Sequence, residues 1–403
     1  MKSLIAALML LGTTQAFAEN VKPGLKKDPE LWVTLGNDAV EPMRESFRSA
    51  GWEEPTQELA KGEASVFRLR ESQLEKLATL MHERFNRCAG FMTYESREEA
   101  VASLEPAPAL APQNLVTYTL DNAATANALM GAMTEANVRS TITLLTGYST
   151  RYYTSSTGVT AVNALRSRWQ SFVPSGRTDV TVELFTHAAW AQPSVIFTIR
   201  GTTLPNEVVV VGGHLDSISS SSAAPGADDN ASGIASFTEV IRVAMARNYR
   251  PQRTVKFIGY AAEEVGLRGS REIAAWHKNN AINVVGVLQL DMTNYKGSTQ
   301  DAAVITDYTN AAQNTFLRNI ITTRAGYTHV NSTCGYACSD HASWHNQGFA
   351  ASIPHESTVS AGNPYIHTSG DTISRSGGTA NHALKFARIA ASYVAELAKG
   401  TAQ

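Results

Sequence analysis

The 403-residue chain has only three cysteines, almost no excess of charge, and no long apolar run beyond its first residues. Each shortage excludes a class of protein. A formal net charge of −2 gives no electrostatic basis for a nucleic-acid or acidic-membrane partner. After the N-terminus no stretch approaches about 18 uninterrupted apolar residues, so no membrane association is expected once a leader is removed. Cys334 and Cys338 stand four apart in C-G-Y-A-C without the second ligand pair that a structural zinc site needs, and Cys88 is isolated upstream. No internal repeat or long low-complexity tract is visible. What is present is a globular balance, 43% hydrophobic against 17% charged, which supports a packed core rather than disorder.

The first residues carry a leader pattern. Lys2 supplies a positive start, Leu4 to Leu11 form a short apolar stretch, and Ala16-Phe17-Ala18 offers a small-x-small cleavage motif. Residues 1–18 are therefore expected to be a signal peptide, and the protein to be secreted or periplasmic. In an oxidising compartment Cys334 and Cys338 favour a short-loop disulfide over two free thiols, and Cys88 is expected to be a buried free thiol.

Residues 19–110 differ in character from the rest. Ser65–Arg70 reads as a strand, and Ser72 with Glu75 forms a capping box for a helix presenting Leu74, Leu77, Met81 and Phe85, with Gly90 able to end it. Ser96 and Glu99 repeat the capping spacing after a short strand. These features describe a small α+β unit. The run E-P-A-P-A-L-A-P, residues 105–112, is a stiff connector. Over 111–403, strand-like runs at Val180–Phe185, Ser194–Ile199, Val208–Val211, Thr254–Tyr260 and Val284–Leu290 alternate with helical patterns at Val159–Phe172, Ile234–Ala246 and Ser270–Lys278. Such alternation predicts a single α/β domain with a mixed, mostly parallel central sheet flanked by helices, its functional residues beyond the carboxyl ends of the strands.

Five blocks place acidic residues and histidines at such points. G-G-H-L-D-S puts His214 and Asp216 after a strand, on one side of an extended chain, where the Asp216 carboxylate can accept the second ring N–H of a ligating His214. P-G-A-D-D-N-A-S-G puts Asp228 and Asp229 before a helix, and A-A-E-E-V-G-L-R-G-S puts Glu263 and Glu264 after a strand. Paired carboxylates in apolar surroundings are costly unless a metal or a proton neutralises them; one can ligate while its neighbour handles protons. V-L-Q-L-D-M-T-N adds Asp291, and Y-I-H-T-S-G-D-T adds His367 with Asp371. Taken singly, an N-cap, a solvated acidic pair or a satisfied core histidine explains each block. As a series, four strand-to-loop junctions deliver His, Asp, Glu and Asp in turn, and a second His follows. Two His and three carboxylates suit zinc, cobalt or manganese. They exceed the needs of one tetrahedral zinc with an open position but suit two metals sharing a carboxylate. His341 and His345 lack the glutamate of a helix-borne H-E-x-x-H motif and are expected to pack or support. Nothing resembles a serine nucleophile elbow.

These blocks, in this order, together with L-D-M-T-N-Y-K-G-S and C-G-Y-A-C-S-D-H-A-S-W-H, resemble the secreted bacterial leucyl aminopeptidases, a family of co-catalytic zinc exopeptidases, over about residues 130–398. The resemblance implies two zinc ions, with Asp229 as bridge, Glu264 and His367 completing one site, and His214 and Asp291 the other. It makes Glu263 the general base, Asp216 the support of His214, and Tyr336 a neighbour of the reacting carbonyl. It also implies a Cys334–Cys338 disulfide and a prosegment over residues 19–110 that aids folding and inhibits. The expected substrates are peptides with a free N-terminus, and the expected state is a monomer.

Two departures stand out. Asn230 occupies a position that is often acidic in relatives. The stretch I-P-H-E-S-T-V-S-A-G-N-P-Y-I-H, with Met292, is expected to line the side-chain pocket through Met292, Ile353, His355, Val359, Gly362 and Ile366. Leucine-selective relatives carry aromatics where His355, Val359 and Gly362 stand, so a roomier pocket is expected. A related co-catalytic carboxypeptidase or deacylase would need a lid or dimerisation domain before the last His, and the 76 residues from Asp291 to His367 leave little room for one. A ligand-binding module on an inactive peptidase fold would be expected to have lost ligands, and here the set is complete.

Overall fold

The computed structural model describes residues 28–403 except Asn86, Cys88 and Ser222. The signal-peptide expectation for residues 1–18 and the thiol expectation for Cys88 lie outside the described residues.

The N-terminal unit comprises β1 (Glu30–Gly36), α1 (Val40–Ser49), β2 (Thr56–Lys61), β3 (Ala64–Arg70), α2 (Leu74–Phe85), β4 (Phe91–Tyr94) and α3 (Arg97–Ala102). Its strands form an antiparallel sheet in the order β2-β3-β1-β4. Alternate residues Leu31, Val33 and Leu35 of β1 point inward against Met43 and Phe47 of α1 and Leu74, Leu77 and Met81 of α2. Burying each such side chain contributes about 1.5–3 kcal/mol, so this unit has a core of its own. Ser96 caps α3 as expected, accepting the Glu99 N–H. Ser72 does not cap α2, because its hydroxyl donates to Asp28; the Gln73 side chain instead accepts the Arg70 N–H in a tight turn before the helix. Helix α2 also stops at Phe85, well before Gly90.

The connector is extended and largely exposed up to Pro112, after which the chain is fixed to the larger domain. Asn114 donates to Val284 O at 3.0 Å, and Glu396 accepts the main-chain N–H groups of Asp121 and Asn122 at 2.8 Å.

Three helices follow, α4 (Ala123–Gly131), α5 (Glu135–Thr146) and α6 (Ser156–Ser171), then β5 (Val180–Phe185), β6 (Ser194–Ile199) and β7 (Leu204–His214). Next come α7 (Ala231–Ala246), β8 (Arg253–Tyr260), α8 (Arg268–Asn279) and β9 (Asn283–Gln289). The remainder is β10 (Ala302–Ile305), α9 (Ala311–Asn319), β11 (His329–Ser332), α10 (His341–Asn346), β12 (Ala351–Ser352), β13 (Pro354–His355) and α11 (Asn381–Ala398).

The main sheet runs β12-β9-β7-β8-β6-β5, with β12, β9, β7 and β8 mutually parallel and β6 antiparallel to both of its neighbours, β8 and β5, which is the mixed, mostly parallel sheet expected. Val209 and Val211 face α5, α6, α7 and α11, whereas Val208 and Val210 face α8 and α10. A four-valine run can be buried throughout only in a strand covered on both faces. A small sheet in the order β11-β10-β13 stands beside the carboxyl ends of these strands. Among the described residues no helix is long and apolar enough to cross a membrane.

Candidate metal centre

Three of the junctions lie at the carboxyl ends of adjacent strands. His214 is the last residue of β7, Glu263 and Glu264 follow β8, and Asp291 follows β9. Asp229 sits before a helix, as expected, at the start of α7, but after a long loop rather than directly at a strand end, and a cis peptide joins it to Asn230. Asn230 has a structural task there. Its carbonyl oxygen caps α7 by accepting the Gly233 N–H, and its amide donates to Leu290 O at 2.9 Å, tying Asp229 to the segment that carries Asp291. Gly213 permits this convergence, since a Cβ there would lie 2.6 Å from Leu290 O.

Two clusters with metal-ligand geometry result, His214–Asp229–Asp291 and Asp229–Glu264–His367, with candidate atoms of each cluster within 4.8 Å of one another and Asp229 common to both. His214 Nε2 lies 2.9 Å from Asp229 Oδ1 and 3.4 Å from Asp291 Oδ1. His367 Nε2 lies 2.7 Å from Glu264 Oε2 and 3.3 Å from Asp229 Oδ2. All five side chains are buried. Asp291 Oδ1 accepts no hydrogen bond although it is buried, while its Oδ2 accepts from Ser339 at 2.6 Å. A buried, unsatisfied carboxylate oxygen aimed at a histidine nitrogen is what a metal position requires, and the all-O/N donor set fits zinc.

The electrostatics report the same crowding. Burial, then Asp229, pushes Glu264 up to about 7. Burial opposes the charge on His367, yet Glu264 and Asp229 raise it to about 10. Burial raises Glu263 well above the carboxylate range, with Asp340, Asp291 and Glu264 adding to it and His214 opposing. A divalent cation would relieve this clustering of negative charge.

The support differs in detail from expectation. Asp216 was expected to accept the His214 ring N–H through its carboxylate. Instead His214 Nδ1 bonds the Asp216 main-chain oxygen at 3.1 Å, and the carboxylate lies 3.5 Å away. The carboxylate is engaged elsewhere, because its two oxygens accept the amides of Glu263 and Glu264 at 3.0 and 3.1 Å. It thus orients both glutamates at once. Asp371 accepts the amides of Asp228 and Asp229, and Asn363 donates to both Asp228 and Asp371. Arg151, wholly buried, clamps the intervening loop through the carbonyls of Leu215, Pro225 and Gly226. Sequence reading gave Arg151 and Asn363 no role; an isolated arginine and an asparagine in a loop carry no spacing signal. Backbone in the left-handed region at Ala262, Met292 and His367 re-aims the chain beside the ligands.

A narrow cleft opens beside Asp291. It is lined by all six expected pocket residues, Met292, Ile353, His355, Val359, Gly362 and Ile366, together with Tyr336 and the disulfide-bonded Cys334 and Cys338. A Cβ on Gly362 would meet His355 Cε1 at 3.4 Å and Met292 Cε at 3.7 Å, ordinary contacts that leave room at this wall. His341 is buried with Nε2 bonded to Asp307 O, and neither it nor His345 joins a metal cluster among the described residues. A Ser194–His187–Glu272 relay exists at the sheet edge, but Ser194 and His187 are buried and Ser194 also accepts the Ala261 N–H, so it is a core strut.

The N-terminal unit covers the mouth of the site. His82 of α2 packs on His367 with ring centroids 4.9 Å apart, and Arg87 lies over the Tyr336 ring at 5.0 Å. Thr93 of β4 donates from its amide to Gly266 O and from its hydroxyl to Val265 O. Gly266, at φ +96°, leaves only enough space for this contact: a Cβ would lie 2.7 Å from the Thr93 nitrogen.

Comparison with known proteins agrees with this geometry. Residues 194–393 match Peptidase family M28. A protein described as a probable aminopeptidase of Saccharomyces cerevisiae is 32% identical, over 80% of this chain and 87% of its own. Leucine aminopeptidase 1 of Ajellomyces capsulatus is 36% identical, over 71% of this chain and 77% of its own. The crystal structure of LapA aminopeptidase from Legionella pneumophila superposes with a TM-score of 0.79 at 26% identity, covering 92% of this chain and 98% of that one. The curated relatives named are fungal, so the match supports the family rather than a bacterial subgroup.

Proposed function

As a member of peptidase family M28 the chain is a metallo-aminopeptidase, and from that premise we propose that it releases single residues from peptide N-termini with two zinc ions bridged by Asp229. The observation that carries the two-metal reading is the pair of three-residue clusters sharing one carboxylate. His214 and Asp291 would hold one ion, Glu264 and His367 the other. When bound, such a pair supplies Lewis acidity toward the scissile carbonyl and toward water.

The chain's own residues do the rest. Glu263, its amide held by Asp216, takes the proton of the attacking water as an ionised carboxylate and passes it to the leaving amine; the burial that raises its proton affinity suits it to hold that proton in between. The Tyr336 hydroxyl, at the rim of the cleft, donates to the developing oxyanion. The carboxylates of Asp229 and Glu264 favour a free α-amino group over a blocked one. The apolar cleft takes the first side chain, and Gly362 leaves it roomier than a leucine-selective pocket.

Residues 1–18 act as an export leader in this reading, residues 19–110 as a prosegment over the mouth, and residues 111–403 as a monomeric, secreted or periplasmic enzyme. The contacts of His82 and Arg87 support the inhibitory role.

A metal count and a panel of aminoacyl-anilides on the processed protein test the reading. Chelator-sensitive release across several first residues is expected. A sharp optimum for leucine alone would remove the roomy-pocket claim, and failure of metal-replete enzyme on every peptide would remove the aminopeptidase claim.

A further inference from the structure

The Arg268 side chain is wholly buried, yet both of its ionic partners belong to the N-terminal unit. Nη1 donates to Glu71 at 2.7 Å and Nη2 to Glu95 at 2.8 Å. Everything else that holds the guanidinium belongs to the catalytic domain. Its carbon lies 4.6 Å from the Trp190 ring centre and 5.7 Å from that of Tyr153, whose hydroxyl donates to the same Glu71 carboxylate. Nε is buried and makes no hydrogen bond. Loss of residues 19–110 would therefore leave a planar cation in a corner made by two edge-to-face rings, next to a phenolic donor, without Glu71 and Glu95.

We propose that the processed enzyme carries a carboxylate-binding site formed by Arg268, Tyr153 and Trp190, which takes an acidic side chain or the C-terminal carboxylate of a peptide substrate downstream of the cleaved bond. The proposal rests on the prosegment reading above, with Glu71 and Glu95 occupying the site until the unit departs. The arginine fork matches carboxylate geometry, and stacked aromatics keep it in position without an ionic partner. Its place in the chain also fits. The Arg268 amide bonds Ala262 O at 3.0 Å, and Ala262 directly precedes Glu263, so the anchor of the fork adjoins the reacting centre. An extended peptide advances about 3.3 Å per residue, which brings a carboxylate a few residues downstream within reach. The catalytic domain has a core of its own behind this surface, since the largest apolar cluster contains no residue of the N-terminal unit, while Tyr153 and Trp190 lie where the two units pack together.

The test uses full chain opened by limited proteolysis within residues 105–112 and freed of the N-terminal fragment. Its substrates are pentapeptides with a fixed first residue, glutamate or glutamine at the second, third and fourth positions in turn, and a C-terminal acid or amide. One glutamate position, or the C-terminal acid, should lower KM about tenfold relative to its neutral counterpart, in line with a charge-assisted hydrogen bond. Added salt should erode that advantage in the unmodified enzyme, a readout independent of whether any variant folds. Arg268→Gln should bring the ratio to about one, and Arg268→Lys should retain part of it. A preference confined to glutamate would assign side-chain recognition, and one confined to the free terminus would assign C-terminal recognition. Equal KM values for all pairs, in an enzyme activated by removal of the unit, would overturn the carboxylate site while leaving the prosegment reading intact. An enzyme equally active before and after removal would overturn both.

Discussion

The two halves of the metal cradle share Asp229 but are built differently. The inner half, His214 and Asp291, stands at the ends of two neighbouring parallel strands, with His214 bonded to the Asp216 carbonyl and Asp291 to Ser339. The outer half pairs Glu264, in the turn that follows β8, with His367, which comes from an irregular loop with left-handed backbone. His82 of the N-terminal unit packs on His367 of the outer half. A strand end fixes a ligand rigidly, whereas a loop ligand can face both substrate and a removable cover. The inner half therefore reads as the anchored one, the outer half as the one where access is controlled.

The largest effect should come from the residue that belongs to both halves. Asp229→Asn should abolish stoichiometric binding of both zinc ions and lower turnover by at least about three orders of magnitude, as measured by metal analysis and anilide hydrolysis. Retention of both ions would show that the halves are independent. Glu263→Gln should keep the metals yet lose about 10²–10⁴-fold in kcat, because it removes only the proton carrier. Normal turnover there would displace Glu263 from its role.

Asp216→Asn should cost about 10–100-fold in activity and disturb both halves, since one carboxylate orients both glutamates and also backs His214. An effect limited to the inner half would point back to simple His214 support. Protein stripped of metal should hold protons on the same residues. With Glu264 raised to about 7 and His367 to about 10, zinc entering at pH 7 must displace protons, so affinity should rise with pH through this range and proton release should accompany loading. Loading without proton release would contradict the ligand assignment. The smallest effect is expected of His82→Ala in the full chain, a few-fold gain in hydrolysis of small anilides with unchanged metal content. No gain would leave Arg87 and the strand contact of Thr93 as the effective cover.

The residues of the two candidate clusters were legible because buried charge is costly: His214, the Glu263–Glu264 pair and Asp291 follow apolar strands and call for partners, and Asp229 and His367 continue the same series. The strands were legible for a similar reason, since a run such as Val208–Val211 needs cover on both faces. Ser72 misled because a hydroxyl can serve any nearby acceptor, and Asp28, remote in sequence, claimed it. Asp216 was located beside His214, 3.5 Å from its Nδ1, but its second task was not, because spacing does not reveal that the amides of Glu263 and Glu264 also donate to its oxygens. The pocket was found only through the resemblance. The seating of the N-terminal unit over His367 and Tyr336 had no local signal, since it depends on apolar residues remote in sequence meeting in clusters shared by the two units.

The most direct test of the shared-carboxylate account is a zinc count on the full chain after chelation and reconstitution, run in parallel on Asp229→Asn. Two ions per chain in the parent and fewer than one in the variant are expected. One ion in the parent, or two in the variant, would contradict it.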